Sequence, residues 1–182
     1  LIIPFVGKTI QLNSVLYVVL LFFIVLGTVN GANFTDGLDG LASSVTVLIA
    51  TFFAVVAVGT GSGVAPVSCA AVGSLLGFLV YNVYPAKVFM GDTGSLALGG
   101  FVASTAYMLK MPIFIVIIAF IYFLEVLSVI IQVVSFKLTG KRVFRMAPIH
   151  HHFELGGWPE SKVVAIFSIV TAVLCVVGLL AL

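Results

Sequence analysis

The chain has 182 residues, of which 62% are hydrophobic and only 8% are charged, and its mean hydropathy is +1.34. A soluble domain carries roughly a quarter charged residues, so this composition excludes a soluble protein and indicates a chain whose solvent is lipid. We expect membrane lipid around it and no nucleic-acid partner. Its two cysteines, Cys69 and Cys175, both fall in apolar runs, which argues against a disulfide framework and a thiolate metal site.

Six apolar segments have lengths near the roughly 20 residues that cross a hydrocarbon core. They are residues 13–31, 40–58, 64–81, 95–110, 112–137 and 162–182. The alternation of a β-barrel is missing, so the predicted fold class is all-α, a polytopic transmembrane helix bundle. The chain opens with Leu-Ile-Ile-Pro, without an initiator Met or a signal peptide, and we expect it to start inside a longer protein.

Counting crossings from the first segment sorts the loops into two faces. Residues 32–39, 82–94 and 138–161 share one face, and residues 1–12, 59–63 and 110–112 share the other. The first face receives most of the basic residues, namely Lys87, Lys137, Lys141, Arg142, Arg145 and Lys162, while the second receives only Lys8 and Lys110. The positive-inside rule therefore predicts a cytoplasmic first face. Five of the six acids and all three histidines lie there too, which favours a catalytic surface.

The first polar motif runs from Asn33 to Leu41 and contains Asp36 and Asp39. Being three residues apart, the two acids would face the same way in a helical first turn. Helix capping by Thr35 or Asp36 is the alternative. Glycines at 37 and 40 favour a ligand site, because they remove side chains where a ligand could approach the backbone.

The second motif runs from Asn82 to Ser95 and places Asp92 between two glycines. Helix capping is again an alternative, but carboxylates are costly near a membrane and are often functional. Several carboxylates without cysteines suit a hard cation, most commonly Mg²⁺ with substrate phosphates. Phe89 could stack on a planar base and Asn82 could read its amide edge, although simple packing of Phe89 is also open.

The third motif runs from Lys141 to Glu160. Arg142 and Arg145 could contact phosphate or merely report orientation. The run His150, His151 and His152 could donate hydrogen bonds to phosphate, handle protons or, with an acid, bind zinc. Glu125 and Gln132 lie seven residues apart on one face of the fifth segment, where interhelical hydrogen bonding and substrate contact are both open.

Together these motifs resemble those of one family. Residues 33–42, 89–100 and 146–154 resemble the cytoplasmic motifs of the phospho-N-acetylmuramoyl-pentapeptide transferases. The wider family of polyprenyl-phosphate N-acetylhexosamine-1-phosphate transferases resembles the first two motifs more loosely, and the His-His-His run after Ala-Pro points to the muramoyl-pentapeptide branch. The resemblance implies that UDP-N-acetylmuramoyl-pentapeptide reacts with undecaprenyl phosphate, with Mg²⁺ as cofactor, to give a lipid-linked peptidoglycan precursor and UMP. It also implies the bacterial cytoplasmic membrane, with the active site facing the cytoplasm.

The resemblance also implies roles for individual residues. Asp92, Asp36 and His151 would be catalytic, with Asp92 as the metal ligand. The substrate would be bound by Asn33, Gly37, Leu38, Asp39, Asn82, Phe89, Gln132, His150 and His152. The family's adjacent Asp-Asp pair is absent here. Residues 1–182 are therefore expected to be the C-terminal portion of a single transferase domain, with the N-terminal half and a second copy of the enzyme as partners.

Two other classes of function remain open. An intramembrane aspartyl protease also uses membrane aspartates, but its Gly-x-Gly-Asp motif would need Gly where Phe89 stands. A cation channel or transporter would need acids near the bilayer midplane, whereas Asp36, Asp39 and Asp92 fall at segment ends. Another N-acetylhexosamine-phosphate transferase is the nearest alternative.

Overall fold

A computed structural model describes residues 1–6 and 9–182. Within these residues the chain forms eight α-helices and one 3₁₀ turn, Pro112–Phe114. The helices are α1 Ser14–Thr35, α2 Leu41–Gly59, α3 Ala65–Asn82, α4 Gly91–Met108, α5 Ile115–Ile118, α6 Phe120–Thr139, α7 Ile149–Glu154 and α8 Glu160–Leu180. The only pairing of β type in the described residues is an isolated bridge between Ile2 and Thr9.

Five of the described helices, α1, α2, α3, α6 and α8, are long and apolar enough to cross a membrane. This confirms the predicted all-α polytopic bundle. Helix α4 has 18 residues, about 27 Å at 1.5 Å per residue, but is more polar than the five. It begins four residues earlier than the predicted 95–110 segment, so Asp92 lies inside its first turn rather than before it.

The predicted single helix over 112–137 is wrong. The chain instead bends at Ala119, whose φ of −105° and ψ of 30° leave the helical region between α5 and α6. Helix α5 packs against α8, whereas α6 packs against α1. The bend therefore redirects the chain from one neighbour to another, and Ala119 is fully buried where this happens.

Helix α2 is the centre of the bundle. In its most apolar stretch 67% of the residues are buried, against 17–28% in the other four candidate spans. Phe52 and Phe53 on α2 pack with Phe114 in the main core. The remaining helices expose large apolar side chains, as expected where lipid is the solvent.

Glycines let helix backbones approach each other closely. A Cβ at Gly31 of α1 would lie 2.6 Å from the Cβ of Tyr122 on α6, and one at Gly99 of α4 would lie 2.6 Å from the Cα of Val29. Both distances are too short for packed carbon atoms, so α1 can meet α6 and α4 only through small residues at these points. These crossings fix the end of α1, which carries the first polar motif.

Hydrogen bonds between loops are consistent with the predicted faces. The N–H of Ile2 donates to the carbonyl of Lys110, and the N–H of Phe5 donates to that of Ala181. On the motif face, the segment 36–40 is hydrogen-bonded both to 83–90 and to 141–160. Lys8, which was assigned to the second face, lies outside the described residues.

Candidate functional site

The first motif forms the turn between α1 and α2. Asp36 is the residue that ends α1, and its N–H donates to the carbonyl of Asn33. Gly40 precedes α2 with a φ of 77° and provides no side-chain cap. The capping alternative for Thr35 and Asp36 is therefore wrong, since neither starts α2. The expectation that Asp36 and Asp39 share a helical first turn is also wrong, because both lie in the connecting turn.

Asp92 is held by α1. Asn33 Nδ2 donates to Asp92 Oδ1 at 3.1 Å and to the Oγ of the buried Ser95 at 2.9 Å. Met90 precedes α4 without a side-chain cap, so Asp92 does not cap this helix either. As an acid in the first turn it lies at the positive end of the helix dipole.

Asp36 and Asp92 share a cleft of roughly 260 Å³. Its lining includes seven of the predicted site residues, which are Asp36, Gly37, Leu38, Asp39, Asn82, Phe89 and Asp92. Burial, and then the nearby negative charge of Asp92, raise the pKa of Asp36 to about 6. A cation bound between the two carboxylates would relieve that repulsion.

Asp39 connects the cleft to the loop that carries Phe89. Its Oδ2 accepts from the N–H of Ala86 at 2.8 Å, and its own N–H donates to Glu160 Oε1 at 2.5 Å. Glu160 was not among the predicted site residues, because it is 121 residues from Asp39 and resembles an ordinary first-turn acid of α8. Phe89 is 73% exposed at the cleft, so its ring face is accessible to a ligand.

Asn82 is buried beneath the same loop. Its Oδ1 accepts from Ser43 Oγ at 2.9 Å, and its Nδ2 donates to the carbonyl of Val88 at 2.9 Å. Only 4% of the residue is exposed. In the structure this amide holds the loop in place, and its contact with a nucleotide base stays a prediction.

The histidine run forms the short helix α7, in which the His150 and His151 rings lie side by side with their centroids 4.1 Å apart. His150 is fully buried, and its ring lies against Gly37, at the back of the cleft. His151 is partly exposed, and its Nδ1 lies 2.6 Å from Glu154 Oε2. His152 Nδ1 accepts from the N–H of Arg145 at 3.1 Å. Each ring therefore has a different hydrogen-bond partner, and a direct substrate contact of each histidine stays a prediction.

Glu125 and Gln132 both bind the segment after α6. Glu125 accepts from the N–H of Ile149 and contacts His150, which confirms hydrogen bonding between helices for this residue. Gln132 bonds a loop instead, since its side chain binds the backbone of Val143 and Phe144. Gln132 lines a separate groove beside Arg142, so its predicted substrate contact is untested.

The oxygen ligands at the cleft fit Mg²⁺. In the part of the chain that the structure describes, no group of three or more His, Cys, Asp or Glu side chains is placed to hold a metal. Asp36 and Asp92 would supply two carboxylates, and Mg²⁺ commonly takes one or two carboxylates together with waters and substrate phosphates. Zinc would prefer a third or fourth protein ligand, so the histidine–zinc alternative gains no support.

Comparisons with known proteins agree with the motifs. Residues 1–110 match the model of the family described as glycosyl transferase family 4. Proteins named phospho-N-acetylmuramoyl-pentapeptide-transferase are 58% identical in Clostridium novyi, 55% in Clostridium beijerinckii and 56% in Clostridium kluyveri, and each comparison covers this whole chain. The chain spans 56–57% of the length of these relatives. Since the family model covers more than half of the chain, the chain belongs to glycosyl transferase family 4.

Proposed function

We propose that the whole protein transfers phospho-N-acetylmuramoyl-pentapeptide from UDP to undecaprenyl phosphate. An oxygen of the lipid phosphate would attack the sugar-linked phosphorus, the bond from that phosphorus to the bridging oxygen would break, and UMP would leave with the bridging oxygen. The names of the relatives support phospho-N-acetylmuramoyl-pentapeptide as the transferred group. The observation that carries the proposal is the pair Asp36 and Asp92, which share one cleft at the membrane face.

Asp92 and Asp36 are the residues that would hold Mg²⁺. When bound, the metal would neutralise negative charge on the diphosphate. Asn33 orients Asp92 through its amide N–H, and Ser95 fixes Asn33 in turn. Phosphoryl transfer depends mainly on positioning and charge neutralisation, and this chain of hydrogen bonds supplies positioning before any substrate arrives.

The other side of the cleft would bind the nucleotide. Phe89 would stack on the uracil, as exposed aromatic rings do with bases. Asp39 would contact the nucleoside while holding Ala86, and the backbone of Gly37 and Leu38 would line the same wall. Asn82 would act from below by fixing the Phe89 loop.

The histidines would act from the side of α7. Glu154 orients the His151 ring, as carboxylates do for histidines that donate hydrogen bonds or move protons. His151 is therefore the candidate to contact the substrate diphosphate. His152 and Gln132 support the loop between α6 and α7 and would meet the sugar-peptide part of the substrate. His150 is fully buried and would act through the turn at Gly37.

The setting of the reaction is also part of the proposal. The site would face the cytoplasm from the bacterial inner membrane, because six of the eight basic residues lie on the motif face. The remaining length of the relatives would supply the rest of the enzyme, and a homodimer is predicted as its assembly.

The test is an assay of UMP release by membranes that contain the full-length protein. Release should require UDP-N-acetylmuramoyl-pentapeptide, undecaprenyl phosphate and Mg²⁺ together. Replacement by UDP-N-acetylglucosamine should abolish it. Turnover of UDP-N-acetylglucosamine instead would favour another hexosamine-phosphate transferase, and UMP release without the lipid phosphate would exclude the transfer reaction.

A further inference from the structure

Glu125 is a carboxylate inside a candidate membrane span. It lies in α6 and is fully buried. A buried carboxylate is costly unless its oxygens receive hydrogen bonds. The hydrogen-bond partners of Glu125 should therefore indicate its role.

Both oxygens of Glu125 bind the start of α7. Oε2 accepts from the N–H of Ile149 at 2.9 Å, and Oε1 lies 3.1 Å from His150 Nδ1. The first N–H groups of a helix have no partner within the helix, so Glu125 satisfies one that would otherwise be buried. With an ionised carboxylate, Nδ1 carries the ring proton and Nε2 points the other way. The acid thus fixes both the position and the ring orientation of His150.

His150 in turn lies against the turn that carries the two acids of the first motif. A Cβ at residue 37 would overlap the His150 imidazole. His150 Nε2 is buried and has no hydrogen-bond partner among the described residues. Only glycine leaves room for the ring at this position, so the imidazole sets how far the turn of Asp36 and Asp39 can move inward.

We infer that Glu125 is a positioning residue for the candidate site. It holds the His150 ring, the ring supports the backbone at Gly37, and that backbone sets the place of Asp36 relative to Asp92. This inference rests on the proposed function for its activity readout, but the contacts themselves do not depend on it.

The first experiment compares Glu125→Gln with Ser128→Ala in the full-length protein. The Gln amide can keep both contacts only if the His150 proton moves to Nε2, which is buried and has no partner among the described residues, so the ring should lose its fixed place. We expect kcat to fall about tenfold to a hundredfold, the range for residues that orient metal ligands, and the Mg²⁺ concentration for half-maximal activity to rise. Ser128 is the matched control, because it is buried one turn away and its Oγ donates only to the carbonyl of Glu125.

The Mg²⁺ dependence separates positioning from general stability. A folded Glu125→Gln variant with wild-type kcat and Mg²⁺ dependence would overturn the inference. A purely structural role would reduce the amount of folded enzyme without changing the Mg²⁺ dependence of what remains, and that result would overturn it too.

The second experiment is a cycle of Gly37→Ala and His150→Ala, measured by thermal stability in detergent. Gly37→Ala should lower the unfolding midpoint with His150 present, and should lower it much less once the ring is removed. Equal losses in both backgrounds would overturn the contact on which the inference depends. This readout needs no turnover, so it can overturn the inference even if Glu125→Gln does not accumulate. Failure of wild-type turnover would count against the proposed function alone.

Discussion

Asp36 and Asp92 occupy opposite kinds of helix end. Asp36 ends α1, where the helix dipole disfavours negative charge, whereas Asp92 lies in the first turn of α4, where the dipole favours it. Asp36 is also the acid whose pKa is raised, to about 6. The pair therefore joins an acid at the favourable end of one helix dipole with an acid, Asp36, that gains most from a bound cation.

The first prediction concerns Asp92. In Asp92→Asn the side-chain Oδ1 can still accept from Asn33, so the link between α1 and α4 should survive and thermal stability should change little. The charge that would bind the metal is lost. We expect turnover to fall by at least about a hundredfold, the scale on which lost transition-state stabilisation is felt. The measurement is UMP release by the full-length protein across a range of Mg²⁺ concentrations.

Thr93→Ala is the matched control for that variant. Thr93 is the next residue in the same turn, is exposed, and makes no side-chain hydrogen bond within the described residues. It should retain turnover. A stable Asp92→Asn protein with near-normal activity would remove Asp92 from the metal site and leave Asp36 as the candidate.

The second prediction is a pH dependence of stability that belongs to Asp36. Because its pKa is raised to about 6, the protonated acid stabilises the folded state. That contribution is complete below about pH 4 and is lost as pH rises through about 6. Asp36→Asn mimics the neutral acid. In the absence of Mg²⁺, the difference in unfolding midpoint between Asp36→Asn and wild type should therefore shift in favour of the variant as pH rises from about 4 to about 6. If the unfolding midpoints of the two proteins change with pH in parallel, the raised pKa of Asp36 is contradicted.

The sequence predicted the acids of the site but not their partners. Counting crossings placed Asp36, Asp39 and Asp92 on one face, and the structure brings all three to one cleft. The pairing of Asp39 with Glu160, and that of the Asn82 amide with Ser43, are contacts between distant segments. No local pattern in a single sequence records such contacts.

At the scale of elements, small residues control how the helices cross. The third prediction compares Gly31→Ala in α1 with Gly77→Ala in α3. A Cβ at Gly31 would meet the Tyr122 backbone, whereas one at Gly77 would have nothing within 4 Å. We expect Gly31→Ala to lower the free energy of unfolding by about 1–3 kcal/mol through overpacking. Gly77→Ala should be neutral or stabilising by up to about 1 kcal/mol.

Thermal stability in one detergent would measure both glycine variants. Equal effects at the two positions would show that the α1–α6 crossing is looser than the structure indicates. Because Gly31 is one turn from the end of α1, Gly31→Ala should also reduce turnover, while Gly77→Ala should not.

Apolar length predicted the long helices within a few residues, but it could not predict the bend at Ala119 or the helix α7. Residue 119 is neither proline nor glycine, so no local signal marks the bend. The bend instead accompanies the packing of α5 and α6 on different neighbours. Helix α7 has only six residues, too short for a periodic pattern. Its first turn depends on Glu125, which lies on another helix.

At the scale of the whole molecule, the fourth prediction concerns orientation. Thr139→Cys at the end of α6 and Gly63→Cys before α3 lie on opposite faces and are both exposed. With the native cysteines replaced, an impermeant thiol reagent on intact cells should label Gly63→Cys and spare Thr139→Cys, because the basic loops should face the cytoplasm. Both should label after permeabilisation. The reverse pattern would invert the proposed orientation and separate the cleft from cytoplasmic substrates.

The last prediction concerns how much protein the activity needs. The chain spans 56–57% of its relatives, and the cleft of Asp36 and Asp92 holds only two metal-ligand candidates. We therefore expect the purified 182-residue chain to release no UMP above background, and to gain activity when it is expressed with the further length that the relatives have. Uridine nucleotide binding should be measured beside turnover, because Phe89 and Asp39 are already in place. Turnover by the 182-residue chain alone would show that these residues complete the catalytic site without help.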